Sequence, residues 1–174
     1  MVNALAKNHN EKGLSTCKVG LMLFHRYKRS RDAGDLNDAI MKMKSGLKKV
    51  ARTSPDWANC QFNLGLLHLD RFQDKGDVQH EAAALEGFVN SVDSTESIPL
   101  VRLRSVRASI NIYKNRGDWQ QAVSAADKGT KLLPVICGRY LSWEDQQHAV
   151  IQASGLAADA CSLSLKIGNV EKAL

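Results

Sequence analysis

Apolar residues recur every three or four positions along almost the whole chain, which is the spacing of an amphipathic helix. No stretch alternates apolar and polar residues over the length of a convincing strand. We therefore predict an all-α chain of antiparallel helix pairs, with one long helix near the C-terminus. The predicted helices span 14–29, 35–50, 55–73, 77–92, 99–115, 118–133 and, as the long helix, 142–166.

A Gly-Asp dipeptide separates the two helices of each pair and returns at a regular interval. It begins at Gly34, Gly76 and Gly117, with intervals of 42 and 41 residues, and a weaker copy, Gly168-Asn169, follows 51 residues later. Glycine can take the left-handed conformation that ends a helix, and the next aspartate can cap the following helix. A fixed period of roughly 20–50 residues is typical of stacked repeats. The sequence therefore predicts an α-solenoid of stacked helix pairs.

Two glycines lie inside the first helices of consecutive pairs, at equivalent positions. Gly20 and Gly65 match when the copies are aligned, whereas the third copy has Val106 there. A glycine inside a helix costs about 1 kcal/mol relative to alanine. Its return at the same place predicts a close approach between helices.

The repeats divide the chain into three parts. We predict a polar lead-in or the end of a preceding repeat at 1–13, three helix-pair repeats at 14–133, and at 134–174 a connector, the long helix and the start of a truncated further repeat. A repeat that stops there would leave the apolar side of the long helix partly uncovered. A homodimer through that side is therefore an expected arrangement.

Charge changes the picture in favour of an anionic partner. The 174 residues carry a net charge of +6, and the basic residues are clustered. Such clusters attract phosphate-rich ligands or acidic peptides, and they are also typical of solvated helix faces. The clusters are Arg26, Lys28, Arg29 and Arg31; Lys42, Lys44, Lys48, Lys49 and Arg52; and Arg102, Arg104 and Arg107.

Targeting signals are absent from the sequence. No apolar run approaches the roughly 18 residues of a membrane helix, and the polar N-terminal residues lack the apolar core of a signal peptide. We expect a cytoplasmic, intracellular location and no membrane partner.

No pattern typical of a catalytic, cofactor or metal site is found. Nucleotide-binding and zinc-protease motifs do not occur. His148 is the strongest candidate for a catalytic residue, and a Cys-His hydrolase would need a cysteine within hydrogen-bond reach of it. Cys161 lies 13 residues along the same predicted helix, about 20 Å away and therefore out of reach. His25 and His68 fall near apolar seams and are interpreted as packing residues. We predict no enzyme activity, no cofactor and no metal, and buried free thiols at Cys17, Cys60, Cys137 and Cys161.

The repeat motif resembles a known family. Leu64-Gly65, an aromatic residue near the helix end and the Gly-Asp corner resemble the tetratricopeptide repeat, although the period of about 41 exceeds the usual 34. Over roughly 14–174 the chain resembles the repeats that precede the caspase-like CHAT domain in large fungal proteins, which implies a tetratricopeptide-like α-solenoid. The more specific part resembles the segment that joins the last repeats to that domain, and it consists of Leu132–Pro134, Ser142, Asp145–His148 and Ser154–Ala160. The CHAT domain is absent, so the resemblance implies no protease activity. It implies a non-catalytic regulatory or interaction segment, a fragment or truncated relative of a longer protein.

The resemblance also implies a peptide-binding groove along the first helices of the pairs. In tetratricopeptide repeats an asparagine ahead of Leu-Gly often bonds the backbone of a bound peptide, and Asn63 matches it. In the repeat frame Lys18 and Arg104 are equivalent to Asn63, and these cations favour an acidic ligand. The candidate peptide-binding residues are Lys18, Asn63, Asp70, Arg104, Arg107 and Asn111.

We predict that a protein or peptide, an acidic one in particular, binds weakly in this groove, and that Lys28 and Arg29 lie outside it. Two alternatives stay open. The groove is filled by a flanking segment of the protein itself, or the chain is a basic solenoid that binds nucleic acid or another phosphate-rich ligand. Nucleic acid is the less expected partner.

Overall fold

The computed structural model describes residues 2–136 and 143–168; of these, the side chains of 2–6, 143–146 and 148–154 are not described. The described residues contain helices and no strand, so the predicted all-α class of helix pairs is confirmed. None of these helices is long and apolar enough to span a bilayer. The helices are α1 (Val2–Ser30), α2 (Ala33–Leu47), α3 (Trp57–Lys75), α4 (Val78–Asp93), α5 (Pro99–Arg116), α6 (Trp119–Thr130), α7 (Leu133–Ile136) and α8 (Trp143–Lys166).

The chain forms two compact units, Met1–Ser97 and Ile98–Leu174. In the first unit α1 pairs with α2 and α3 with α4, and α3 also packs on α1 and α2. Helices α1 and α2 are antiparallel, because Gly13 of α1 approaches Gly46 of α2, whereas the later Gly20 approaches the earlier Ala39. The core of this unit follows the predicted apolar stripes, with fully buried side chains at Tyr27, Leu36, Met43, Leu67 and Phe88.

Glycines hold the paired helices close together, as Gly20 and Gly65 predict. A Cβ added at Gly20 would lie 3.0 Å from the Ala39 carbonyl oxygen, and one at Gly65 would lie 2.6 Å from the Phe88 ring. The sequence analysis missed a second set on the other helix of each pair. These glycines recur at intervals of 41 and 42 residues, and each faces the partner helix at short range: Gly46, Gly87 and Gly129.

In the second unit α5 and α6 form a pair, and α8 packs on both. Leu156 of α8 is buried and lies against Gly129 of α6. The Lys114 ammonium of α5 pairs with the Asp159 carboxylate of α8 at 3.2 Å. Within this unit α8 therefore takes the place of the first helix of a next pair. The four-residue α7 lies in what the sequence predicts as a connector.

The second corner follows the prediction in both its glycine and its aspartate, the third in its glycine only, and the first in neither. Gly76 and Gly117 end their helices with φ of 70° and 76°. The Asp77 carboxylate caps α4 by accepting a hydrogen bond from the Gln79 N–H, whereas Asp118 makes no such bond. At the first corner Arg31 takes the positive φ, 58°, and Gly34 does not.

Asp35 is consequently not the cap of α2. Asp32 caps it, by accepting a hydrogen bond from the Gly34 N–H, while the Asp35 carboxylate binds the guanidinium of Arg26. The first copy has three more residues before its Gly-Asp than the second. Because the chain leaves α1 before reaching Gly34, the dipeptide falls inside the next helix.

Two predicted helix starts also change. The first helix begins at Val2, so the predicted polar lead-in is helical, and its Asn10 side chain accepts a hydrogen bond from the Ala51 N–H. The third helix begins at Trp57 and not at Pro55, because Ser54 bonds the Trp57 N–H through its carbonyl in a preceding turn. Pro99 does open α5 as predicted. Ser142, where the long helix is predicted to begin, lies outside the described residues.

Candidate functional site

The structure brings Lys18 and Asn63 together at one cavity between α1 and α3. The cavity has a volume of about 130 Å³. Lys18 is exposed and Asn63 is half-buried, so both can reach a ligand at its mouth. Their predicted juxtaposition on neighbouring first helices is thus found in the first unit.

Two polar residues that the sequence analysis did not select line the same cavity. Asn59 precedes Asn63 by one helical turn and is exposed, and Asp56 lies just before α3. Residues four apart share a helix face, so the two asparagines present consecutive amides. That spacing is visible in the sequence and could have identified Asn59. Asp56 makes the cavity mouth less cationic than Lys18 alone implies.

Two thiols line the cavity. Cys17 and Cys60 are 4% and 7% exposed, and their side chains are hydrogen-bonded to each other. The hydrogen bond with Cys17, together with burial, raises the pKa of the Cys60 thiol above its ordinary value. Cys17 also lies 3.8 Å from the Met43 carbonyl oxygen, to which its thiol donates. These thiols are thus buried and free, as predicted, whereas Cys161 is free and exposed.

Asp70, another predicted groove residue, is engaged inside the unit. It is buried, and its carboxylate forms an ion pair with the Lys28 ammonium. The Lys28 side chain, which is predicted to lie outside the groove, therefore reaches from α1 to a predicted groove residue on α3. Next to it the Tyr27 hydroxyl donates a hydrogen bond to the Asp74 carboxylate at 2.6 Å. These contacts tie the two first helices together at the end opposite Lys18.

The remaining predicted residues belong to α5, in the second unit. Arg104 and Asn111 are exposed on that helix. Arg107 is half-buried, and its guanidinium nitrogen lies 3.1 Å from the place where a Cβ of Gly155 would stand, so it packs on α8. The row of Lys18, Asn63 and Arg104 across three first helices stays a prediction.

A larger cleft of about 550 Å³ opens on the other side of α3, between α2 and α4. Lys44 lines it from α2, Lys48 from the C-cap just after α2, and Arg52 from the turn that follows. The Arg52 guanidinium lies over the Trp57 ring, 5.7 Å from its centroid. Glu86 and Asn90 face these cations from α4.

His68 lines this cleft from α3 and is 3% exposed. Its Nδ1 lies 2.8 Å from Nδ1 of His80, and its Nε2 has no hydrogen-bond partner among the described residues. Burial first, and then the charges of Lys44 and His80, lower the pKa of His68 to about 4. His68 is therefore the packing residue predicted, whereas His25 is exposed and is not.

In the described part of the chain, candidate metal ligands do not form a cluster. No group of three or more His, Cys, Asp and Glu side chains there is arranged to hold a metal ion. The side chain of His148 and the whole of Cys137 lie outside the described residues.

Comparison with known proteins adds little to this picture. No family model matches the chain, and no curated protein matches it. Among solved structures, a de novo designed helical repeat protein, DHR64, is similar to it at 16% identity, with a TM-score of 0.39 over 94% of this chain and 76% of the designed one. A TM-score this low carries no argument, so the fold class rests on the helices and their packing.

Proposed function

We propose that this chain is a non-catalytic helical-repeat scaffold whose groove between α1 and α3 binds an acidic peptide or protein segment. The observation that carries the proposal is the placement of Lys18 and Asn63 at one cavity in the first unit. The resemblance to the repeats before a CHAT domain supports a regulatory or interaction role within a larger protein of that type.

The chemistry of the cavity suits an extended peptide. An asparagine side chain offers both a donor and an acceptor, so Asn63 and Asn59 can each pair with a peptide unit of the ligand backbone. The Lys18 ammonium can form a charge-assisted hydrogen bond with a carboxylate of the ligand. The Lys28–Asp70 pair neutralises the opposite end of the groove, so the acidic group of the ligand belongs near Lys18.

The test is isothermal calorimetry or NMR titration with acidic octapeptides, and lysine-rich octapeptides of the same length serve as the control for charge. We expect Asn63→Ala to weaken binding about five- to tenfold, the worth of one or two hydrogen bonds, without unfolding the helices. Asn90→Ala is the matched control, because it makes the same change in the other cleft.

A second pair of variants separates the groove from the basic corner. Lys18→Gln should weaken binding, while Arg29→Gln, the same loss of charge at an exposed position of α1, should leave it nearly unchanged. If Arg29→Gln abolishes binding and Asn63→Ala does not, the corner is the site and the groove proposal fails. An oligonucleotide that binds with a steep salt dependence would favour the alternative function instead, because phosphate contacts release counterions.

A further inference from the structure

The cleft between α2 and α4 is separate from the proposed peptide groove. It shares no lining residue with the cavity at Lys18 and Asn63. Its volume of about 550 Å³ falls inside the range of roughly 300–1,000 Å³ that holds small ligands. A ligand here would therefore be recognised independently of any peptide.

The walls of the cleft differ in chemistry. The α2 side carries three cations, Lys44, Lys48 and Arg52. The α4 side carries the Glu86 carboxylate and the Asn90 amide, which accept hydrogen bonds from hydroxyl groups. Between them the floor combines Leu64 with Trp57, so it also offers apolar and aromatic surface.

His68 adds a buried polar group to the floor of the cleft, beside the cationic side. It is buried in the floor, and the charge of Lys44 contributes to the low pKa of about 4 that keeps it neutral at pH 7. Its Nε2 remains without a partner among the described side chains and backbone atoms. The floor is thus polar at one point beside Lys44, and a ligand that forms a hydrogen bond with Nε2 would satisfy that atom.

We propose that this cleft binds a small phosphate monoester that carries hydroxyl groups and a planar ring. The phosphate lies against Lys44 and Lys48, the hydroxyl groups face Glu86 and Asn90, and the ring rests near Trp57. A phosphate monoester carries about −1.5 to −2 charges at pH 7. A ligand with this charge matches a wall of three cations better than a ligand with one carboxylate group, which carries a single negative charge.

Adenosine 5′-monophosphate is the simplest probe that has all three features, with adenosine and ribose 5-phosphate as its two halves. The readout is the indole N–H resonance of Trp57 in a proton–nitrogen NMR spectrum of the whole chain, assigned with the Trp57→Phe variant. We expect the monophosphate to move this resonance at millimolar concentration, and each half to bind about tenfold more weakly or worse.

The chain provides a matched control for the cations. Lys44→Gln combined with Lys48→Gln should weaken monophosphate binding about tenfold. Lys42→Gln combined with Lys49→Gln removes the same charge from exposed lysines whose Cβ atoms face α1, at Gly20 and Gly13, and should change binding less than about twofold. Circular dichroism should show all of these variants folded, since the lysines are exposed.

Three outcomes would overturn the proposal. The Trp57 resonance does not move with the monophosphate; the two double variants weaken binding equally, which indicates attraction to net charge only; or a single-stranded oligonucleotide binds there while the monophosphate does not. Failure here is distinguishable from failure of the peptide proposal, because Asn63→Ala should leave monophosphate binding intact and the Lys44 and Lys48 changes should leave peptide binding intact.

Discussion

The glycines of the second helices make a quantitative prediction about stability. At Gly46 an added Cβ would lie 2.5 Å from the Cys17 sulfur, 2.7 Å from the Gly13 carbonyl oxygen and 2.9 Å from the Cys17 nitrogen. Carbon atoms pack best at about 3.5–4.0 Å, so α1 and α2 would have to separate by about 1 Å. Two of these three atoms belong to backbone, which moves only with its helix.

Two opposing terms decide the effect of Gly46→Ala. Alanine gains about 1 kcal/mol over glycine from helix propensity, and overpacking a core costs about 1–3 kcal/mol or more. Because the contacts here are backbone contacts, we expect the upper end and a net loss of about 2 kcal/mol in the free energy of unfolding. For a unit of this size that lowers the melting temperature by roughly 10 °C.

The assay is urea and thermal denaturation followed by circular dichroism, with three comparison variants. Gly87→Ala also meets backbone, 2.9 Å from the Gln61 carbonyl oxygen, and should cost about as much. For Gly129→Ala the three nearest atoms belong to the side chains of Leu156 and Val106, which can shift, so this change should cost less. Gly34→Ala, near an exposed helix start, should be within about 0.5 kcal/mol of the original chain. A Gly46→Ala protein as stable as Gly34→Ala would refute the reasoning.

Three further predictions concern other side chains. His68 has a folded pKa of about 4 against an ordinary 6.5, so the unfolded chain takes up a proton at this side chain at a higher pH than the folded chain does. The free energy of unfolding should therefore fall by about 2 kcal/mol as pH drops from about 6.5 to 4. Acid titration of unfolding should show a smaller fall in the His68→Gln variant. Tyr27→Phe should cost about 1 kcal/mol in urea denaturation, because its hydrogen bond to Asp74 is lost while that exposed carboxylate regains water. In timed alkylation read by mass spectrometry Cys161 should react before Cys60, because Cys60 is buried and its pKa is raised. An acidic peptide should slow the alkylation of Cys60 further, because Cys60 lines the proposed peptide cavity.

The homodimer stays a separate prediction. The apolar surface of α8 that is available for it is smaller than the uncovered side of the long helix that the sequence implied. In the described part of α8, Leu156 and Leu163 are buried within the second unit, and Leu165 is 58% exposed. We expect Leu165→Ser to lower any self-association measured by light scattering. Self-association unaffected by this change would place the contact elsewhere.

Local sequence determined the repeat and most of the helices. Apolar spacing set the stripes that became the buried faces, and Gly76 and Gly117 adopt the left-handed conformation that their place at a helix end requires. Gly20 and Gly65 predicted a close approach between the two helices of each pair, because glycine weakens a helix and yet occurs at equivalent positions of two copies. These features depend on neighbours a few residues away, so a single sequence contains them.

Contacts between distant residues were decided by the tertiary structure. Arg26 binds the Asp35 carboxylate, and Asp32 caps α2 instead. Lys28 reaches across from α1 to form an ion pair with Asp70, a predicted groove residue. The cationic cleft joins residues from α2, α3 and α4 that no spacing along the chain connects. The physical reason is that the energy of an ion pair or a cleft depends on which side chains the folded helices bring within a few ångströms, and that is a property of their packing rather than of local sequence.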